Sequence, residues 1–373
     1  MNRGAAAGGL PPGPRWSRVP LLMLGFVGLF VGAGAGLARL GWTLPAVATS
    51  AVALHGPLMV CGFFGVVISL ERAVAIGRGW AYLGPLLAAL GGVAAVAGQA
   101  PAAAAFFVAG SAVLLAASGD IVRRQRALFT FTMALGAASW LVGNALWLAG
   151  RAPHEVTTWW LAFLILTIAG ERLELSRFLP PSPMATRVFA ALLVFIVAGL
   201  AAQAFGAPSG TMLFAAALLG LAAWLLKQDI ARRTVRGSGL TRFIAVCLLS
   251  GYGWLAIGSA VMLGAGGLHP GTPANDAALH AIGLGFVFSM VFGHAPIIFP
   301  AVLRVAVPYH PSFYAPLALL HGSLALRLLG DATGDFEWVR AGGLLNAVAL
   351  AAFIVSTVGA VVRGRVAAGR KSG

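Results

Sequence analysis

The chain of 373 residues is 60% hydrophobic and only 9% charged, against roughly 25% charged residues in an ordinary soluble domain, so water is not its main solvent. The +15 net charge does not mark a nucleic-acid binder, because the basic residues fall at the ends of apolar stretches. Cys61 and Cys247 lie within such stretches, in no CxxC or CxxCH pattern, which leaves a disulfide framework or covalent haem attachment without support.

A hydrocarbon core about 30 Å thick needs about 20 apolar residues per helical crossing. Twelve such stretches follow one another, at 20–40, 47–70, 80–98, 102–120, 127–149, 156–176, 187–206, 210–227, 243–265, 277–303, 312–330 and 341–362. The expectation is an all-α polytopic membrane protein, a single transmembrane domain of twelve helices whose partner is the lipid bilayer and not nucleic acid. Glycines spread through the spans favour close helix–helix approach. The N-terminal segment 1–19 carries Arg3, Arg15 and Arg18 but no short apolar run ending in a cleavage site, and is expected to be retained. With that segment and the tail 363–373 inside, the only basic residues left outside are Arg39, Arg151, Arg327 and Arg340. This bias predicts cytoplasmic termini, and the Arg-heavy, Ala-rich composition points to a bacterial cytoplasmic membrane.

An internal repeat is visible. Span four ends in Asp120-Ile121-Val122-Arg123-Arg124 and span eight in Asp229-Ile230-Ala231-Arg232-Arg233; span two ends in Glu71-Arg72 and span six in Glu171-Arg172. These offsets divide the chain into four-helix units at 20–126, 127–242 and 243–362. In the third unit, His280 with Gly285-Phe286 parallels His55 with Gly62-Phe63. Charges recurring at the cytoplasmic helix ends of any polytopic protein are the alternative, and the repeated Asp-Ile pair favours real repetition.

An ionisable side chain inside hydrocarbon costs several kcal/mol unless it is paired or ligated. His154, His269 and His310 fall in loops, whereas His55, His280, His294 and His321 fall inside spans. At about 1.5 Å per residue, His55 lies roughly 12 Å and His280 roughly 5 Å from the outer edge, and His294 and His321 each roughly 13 Å from the inner one. Two layers result, an outer pair His55/His280 and an inner pair His294/His321. Neutral imidazole is a common ligand of haem iron, copper, iron and zinc, so all four are candidate metal ligands and His55 and His280 a candidate haem clamp. Gly56, Gly62, Gly283 and Gly285 would let a macrocycle lie against the helices, and Arg39, Arg327 or Arg340 would meet its propionates. The alternative is that these histidines hydrogen-bond between helices. Glu71 and Glu171, with His294, form a candidate inner polar site suited to iron or a proton path, or else simple Glu–Arg pairs at helix ends. Trp42, Trp159 and Trp160 read as an outer aromatic belt.

Twelve spans with histidines on spans two and ten resemble subunit I of the haem-copper oxidases and nitric-oxide reductases, and still more the NnrS-like haem- and copper-containing membrane proteins. The motifs carrying the resemblance are His55-Gly56-Pro57-Leu58-Met59 with Gly62-Phe63, and His280 through His294-Ala295-Pro296. It implies that His55 and His280 ligate a low-spin haem, here haem b, with copper or iron as a second metal. It also implies electron transfer or nitrogen-oxide handling, with a periplasmic electron donor and a small gaseous ligand. Spans six and seven hold no histidine, so an oxygen-reducing binuclear centre is not expected. Two other classes stay open: a secondary transporter, for which Pro296 and Pro300 in span ten would mark a kinked pathway, and a metal-free assembly protein.

Overall fold

The computed structural model describes residues 16–176 and 182–369; residues 1–15, Arg177, Arg370 and Lys371 lie outside them. The chain is an all-α polytopic membrane protein. Its twelve spanning helices are α1 Val19–Arg39, α2 Val52–Ile76, α3 Gly79–Val96, α4 Ala100–Arg124, α5 Leu128–Leu148 and α6 Pro153–Leu175, then α7 Pro183–Ala204, α8 Ser209–Gln228, α9 Gly239–Gly264, α10 Pro273–Leu303, α11 Pro311–Thr333 and α12 Phe336–Gly364. Side chains such as Phe30, Val194, Phe195 and Val355 stay exposed, as a surface solvated by lipid requires, because hydrocarbon does not drive apolar groups inward.

Each span matches its sequence expectation to within a few residues, with α2 the largest departure. Ala46–Thr49 form a separate short helix, and α2 begins only at Val52. Glycine ends two helices by adopting the left-handed conformation, Gly77 after α2 (φ 68°) and Gly334 after α11 (φ 74°). Arg304 occupies the same region after α10 (φ 56°), where a side chain carries strain. The α10 helix continues through both Pro296 and Pro300.

Consecutive helices pack as antiparallel neighbours, and α6 occupies the centre. Buried residues make up 83% of its apolar window, against 33% for α1, α7 and α12. Glycines set the close approaches. A side chain at Gly62 of α2 would meet the Cα of Gly92 in α3 at 3.6 Å and of Gly28 in α1 at 3.8 Å, so backbones touch there without intervening side chains. Across the centre, Phe63 of α2 stacks on Phe288 of α10, centroids 6.1 Å apart and planes 5° apart.

Both α2 and α10 contain a π-helical stretch, Leu58–Phe64 and Ala281–Phe288, each shortly after a candidate histidine. Such wide turns are rare and concentrate at functional sites. Asp120 at the end of α4 pairs with Arg78 just after α2 at 3.7 Å, and Asp229 at the end of α8 pairs with Arg172 in the last turn of α6 at 2.9 Å. In each case an aspartate reaches back to the arginine near the end of the helix two positions earlier.

Candidate functional site

The outer histidines come together. The His55 and His280 rings lie with centroids 6.3 Å apart and planes 20° apart. His55 is the fourth residue of α2 and His280 the eighth of α10, reversing the depth order expected from sequence; the rings become level because α10 starts further out. The His55 Nδ1 donates to the Gly32 carbonyl at 2.7 Å and the His280 Nδ1 to the Asp276 carbonyl at 2.8 Å, since a carbonyl oxygen can only accept. Both imidazoles are thereby held in the tautomer whose Nε2 carries the lone pair, and neither Nε2 has a hydrogen-bond partner among the described residues. Metal-binding histidines are commonly oriented this way, through the nitrogen that does not ligate. Two imidazoles sharing one metal ion through Nε2, at about 2 Å each, have centroids about 6 Å apart, and the observed spacing fits.

The surroundings decide which expected contacts a haem would make. Nothing lies within 4 Å of where a side chain would begin at Gly56 or Gly283, leaving room beside both histidines. Gly62 is instead consumed by packing against α1 and α3, and Gly285 by Trp254 of α9; neither lines such a space. Among the expected propionate partners, Arg327 donates through Nε and Nη2 to both oxygens of Asp276 at 2.7 and 2.8 Å. Arg340 lies over the Trp42 ring at 4.3 Å. Arg39 has neither restraint and lies within electrostatic range of His55.

The inner histidines do not form a pair. The His294 Nδ1 donates to the Met290 carbonyl at 2.7 Å, and its Nε2 takes a hydrogen bond from Arg172 Nη1 at 3.1 Å. The lone pair a metal would need is occupied. The His321 Nδ1 accepts from Trp254 Nε1 at 2.9 Å, so the proton sits on Nε2, which is buried without a partner and likewise offers no lone pair. Trp254 packs against Gly285, nine residues or about 13 Å along α10 from His294. His294 and His321 thus belong to different contact sets, one at Arg172 and the other at Trp254. Among the described residues no group of three or more His, Cys, Asp or Glu side chains is placed to hold a metal ion. His154, His269 and His310 are exposed; His154 lies on the first turn of α6, which starts earlier than expected.

The inner carboxylates also depart from simple Glu–Arg pairing. Glu71 and Glu171 are half-buried and within electrostatic range of each other. Among the described residues neither following arginine makes a direct salt bridge to its glutamate: Arg72, which stays within electrostatic range of both, places Nη2 3.1 Å from Met133 Sδ, and Arg172 bridges Asp229 and His294. Tyr252 and the Ala231 backbone N–H complete the shell of Asp229, both at 2.7 Å. This buried network joins α6, α9 and α10 to the end of α8.

Residues that sequence reasoning passed over include Asp276, Trp254, Tyr252 and Asn144. Asp276 had a signal, since it precedes His280 by four residues on one helix face. Asn144 lies fully buried in α5, receives N–H from Trp160 at 3.0 Å, and donates to the Phe107 carbonyl at 3.1 Å. Trp160 is therefore a core residue rather than part of an aromatic belt. Cys61 and Cys247 are free and buried, and Cys61 also joins the Asn144 cluster at 3.3 Å.

A family described as a domain of unknown function, DUF8744, matches residues 18–362. The chain belongs to it. No curated protein matches the sequence.

Proposed function

We propose that this member of DUF8744 is a haem-binding electron-transfer protein of a bacterial cytoplasmic membrane, distantly related to the NnrS-like proteins and haem-copper oxidase subunits that its sequence resembles. The observation carrying this reading is the His55/His280 pair, two imidazoles at ligation spacing with both Nδ1 atoms committed to carbonyls and both Nε2 atoms free. His55 and His280 would hold haem b without a covalent link, Gly56 and Gly283 would give it room, and Arg39 would face a propionate. The bound haem would supply one-electron chemistry.

The geometry favours electron transfer over nitrogen-oxide handling. If His55 and His280 both held the iron, no open position would be left for a small gas, which would have to displace one of them. No second metal is proposed at His294 or His321, whose lone pairs are committed to hydrogen bonds. The carbonyls that accept from Nδ1 fix the ring orientations, and Gly36 lies against the His55 ring. The basic bias of the loops supports termini in the cytoplasm, which would open the histidine end to a periplasmic electron donor.

The test is an optical spectrum and pyridine haemochrome assay of purified protein expressed with ample haem. A Soret band that carbon monoxide does not shift in the reduced state, and that disappears in His55→Ala and His280→Ala, is the expected result. Folded but colourless wild-type protein would overturn the haem reading. A large carbon monoxide shift would instead favour gas binding at an open axial position.

A further inference from the structure

The two candidate axial ligands are held differently, and the difference falls on the His280 side. The His55 Nδ1 meets only a neutral carbonyl, that of Gly32. The His280 Nδ1 meets the Asp276 carbonyl at 2.8 Å and also the Asp276 side chain, with Oδ1 at 3.2 Å. One turn of α10 thus wraps a single residue's carbonyl and carboxylate around one ring nitrogen.

That carboxylate is itself restrained. Arg327, only 7% exposed and contributed by α11, donates Nη2 to the same Oδ1 at 2.8 Å and Nε to Oδ2 at 2.7 Å. The bidentate fork fixes the plane of the carboxylate and draws charge away from the oxygen that touches His280. Asp331, one turn further along α11, lies within electrostatic range of both. Arg327 cannot easily swing away, because Gly342 and Gly343 of α12 lie against it; a side chain at Gly343 would begin 3.0 Å from its Nη1.

We propose that Asp276 is a positioning residue that sets the donor strength of the His280 imidazole, and that Arg327 opposes it, so the pair tunes the reduction potential of the bound group. This rests on the haem reading above. A carboxylate accepting from Nδ1–H makes the ring a stronger donor and favours the more positively charged oxidised iron, lowering the potential. The nearby guanidinium disfavours that state and raises it. The site thereby carries two opposed settings on one atom, Asp276 Oδ1.

The experiment is a spectroelectrochemical titration of the full chain in nanodiscs, with haem content measured by pyridine haemochrome. Asp276→Asn keeps the shape and an acceptor oxygen but removes the charge, and is expected to move the midpoint upward. Arg327→Gln is expected to move it downward, and the double variant to lose that downward shift. Asp331→Asn, which touches neither histidine, is expected to give a smaller upward shift and serves if Asp276→Asn does not fold. A purely structural role would lower haem content without opposite shifts. Midpoints unchanged in all variants, or moved in one direction by both Asp276→Asn and Arg327→Gln, would overturn the inference with the haem reading intact. Wild-type protein without haem would overturn both.

Discussion

A histidine inside a membrane protein is defined by what its two nitrogens already hold. His55, His294 and His321 all sit within spans, yet only His55 keeps an unshared Nε2 lone pair, because its Nδ1–H is spent on Gly32; His294 gives its lone pair to Arg172, and His321 gives its own to Trp254. The position of the His55 ring depends on Gly36, where an added Cβ would sit 2.9 Å from the ring Cε1 and 3.0 Å from Nδ1. Gly36→Ala must move the ring, and crowding of this kind costs about 1–3 kcal/mol. The expected outcome is haem lost several-fold faster to an apomyoglobin trap. Gly119→Ala is the control, since nothing lies within 4 Å of its Cβ position; it should leave haem transfer unchanged. None of this was legible in the sequence beyond the presence of the histidines, because the His55 tautomer is selected by a carbonyl 23 residues away and the His294 lone pair is taken by an arginine 122 residues away.

Between elements, the buried cation at Arg172 does what hydrophobic packing cannot do in lipid: it specifies which helices meet. Arg172 of α6 reaches Asp229 at the end of α8 and His294 of α10, and Tyr252 of α9 closes on the same carboxylate. Removing one member of a buried pair leaves the other charged and unsolvated, at a cost of about 3–5 kcal/mol. Arg172→Met and Asp229→Leu should each lower the thermal unfolding midpoint in detergent sharply, and the double variant should recover part of the loss. Two equal, additive losses would show that the ion pair is not the source. The sequence did mark these positions, through the Asp-Ile repeat and the Glu-Arg doublets, but assigned the arginines to the preceding glutamates. Adjacent residues on a helix point about 100° apart, so a Glu-Arg doublet is poorly placed to pair with itself, and the tertiary partner wins. The two aspartates of the repeated Asp-Ile pair are held differently: Asp120 bonds Arg124 of its own helix at 2.6 Å and lies 3.7 Å from Arg78, whereas Asp229 reaches Arg172 of α6.

At the scale of the whole molecule, twelve spans among the described residues bring residues 16 and 369 to the same face, and the arginine-rich loops are the basis for proposing that this face is cytoplasmic. A fluorescent protein fused after residue 373 should fluoresce and an alkaline phosphatase fused there should be inactive, with the reverse for phosphatase inserted in the loop between α9 and α10. Active phosphatase at the C-terminus would invert the orientation and put the histidine pair on the cytoplasmic side. The sequence by itself determined the number of helices and nearly all their limits, because spanning hydrocarbon is a local requirement: each crossing must be apolar for its own length, whatever it packs against. It also supplied the four candidate histidines. Only the tertiary structure decided that α6 is the central helix, that His294 bonds Arg172 while His321 bonds Trp254, and that His55 and His280 come together with Nδ1 bonded to a carbonyl and Nε2 left unbonded. Those outcomes depend on helix heights and rotations set by glycine contacts and hydrogen bonds between distant residues, which hydropathy along one helix does not encode.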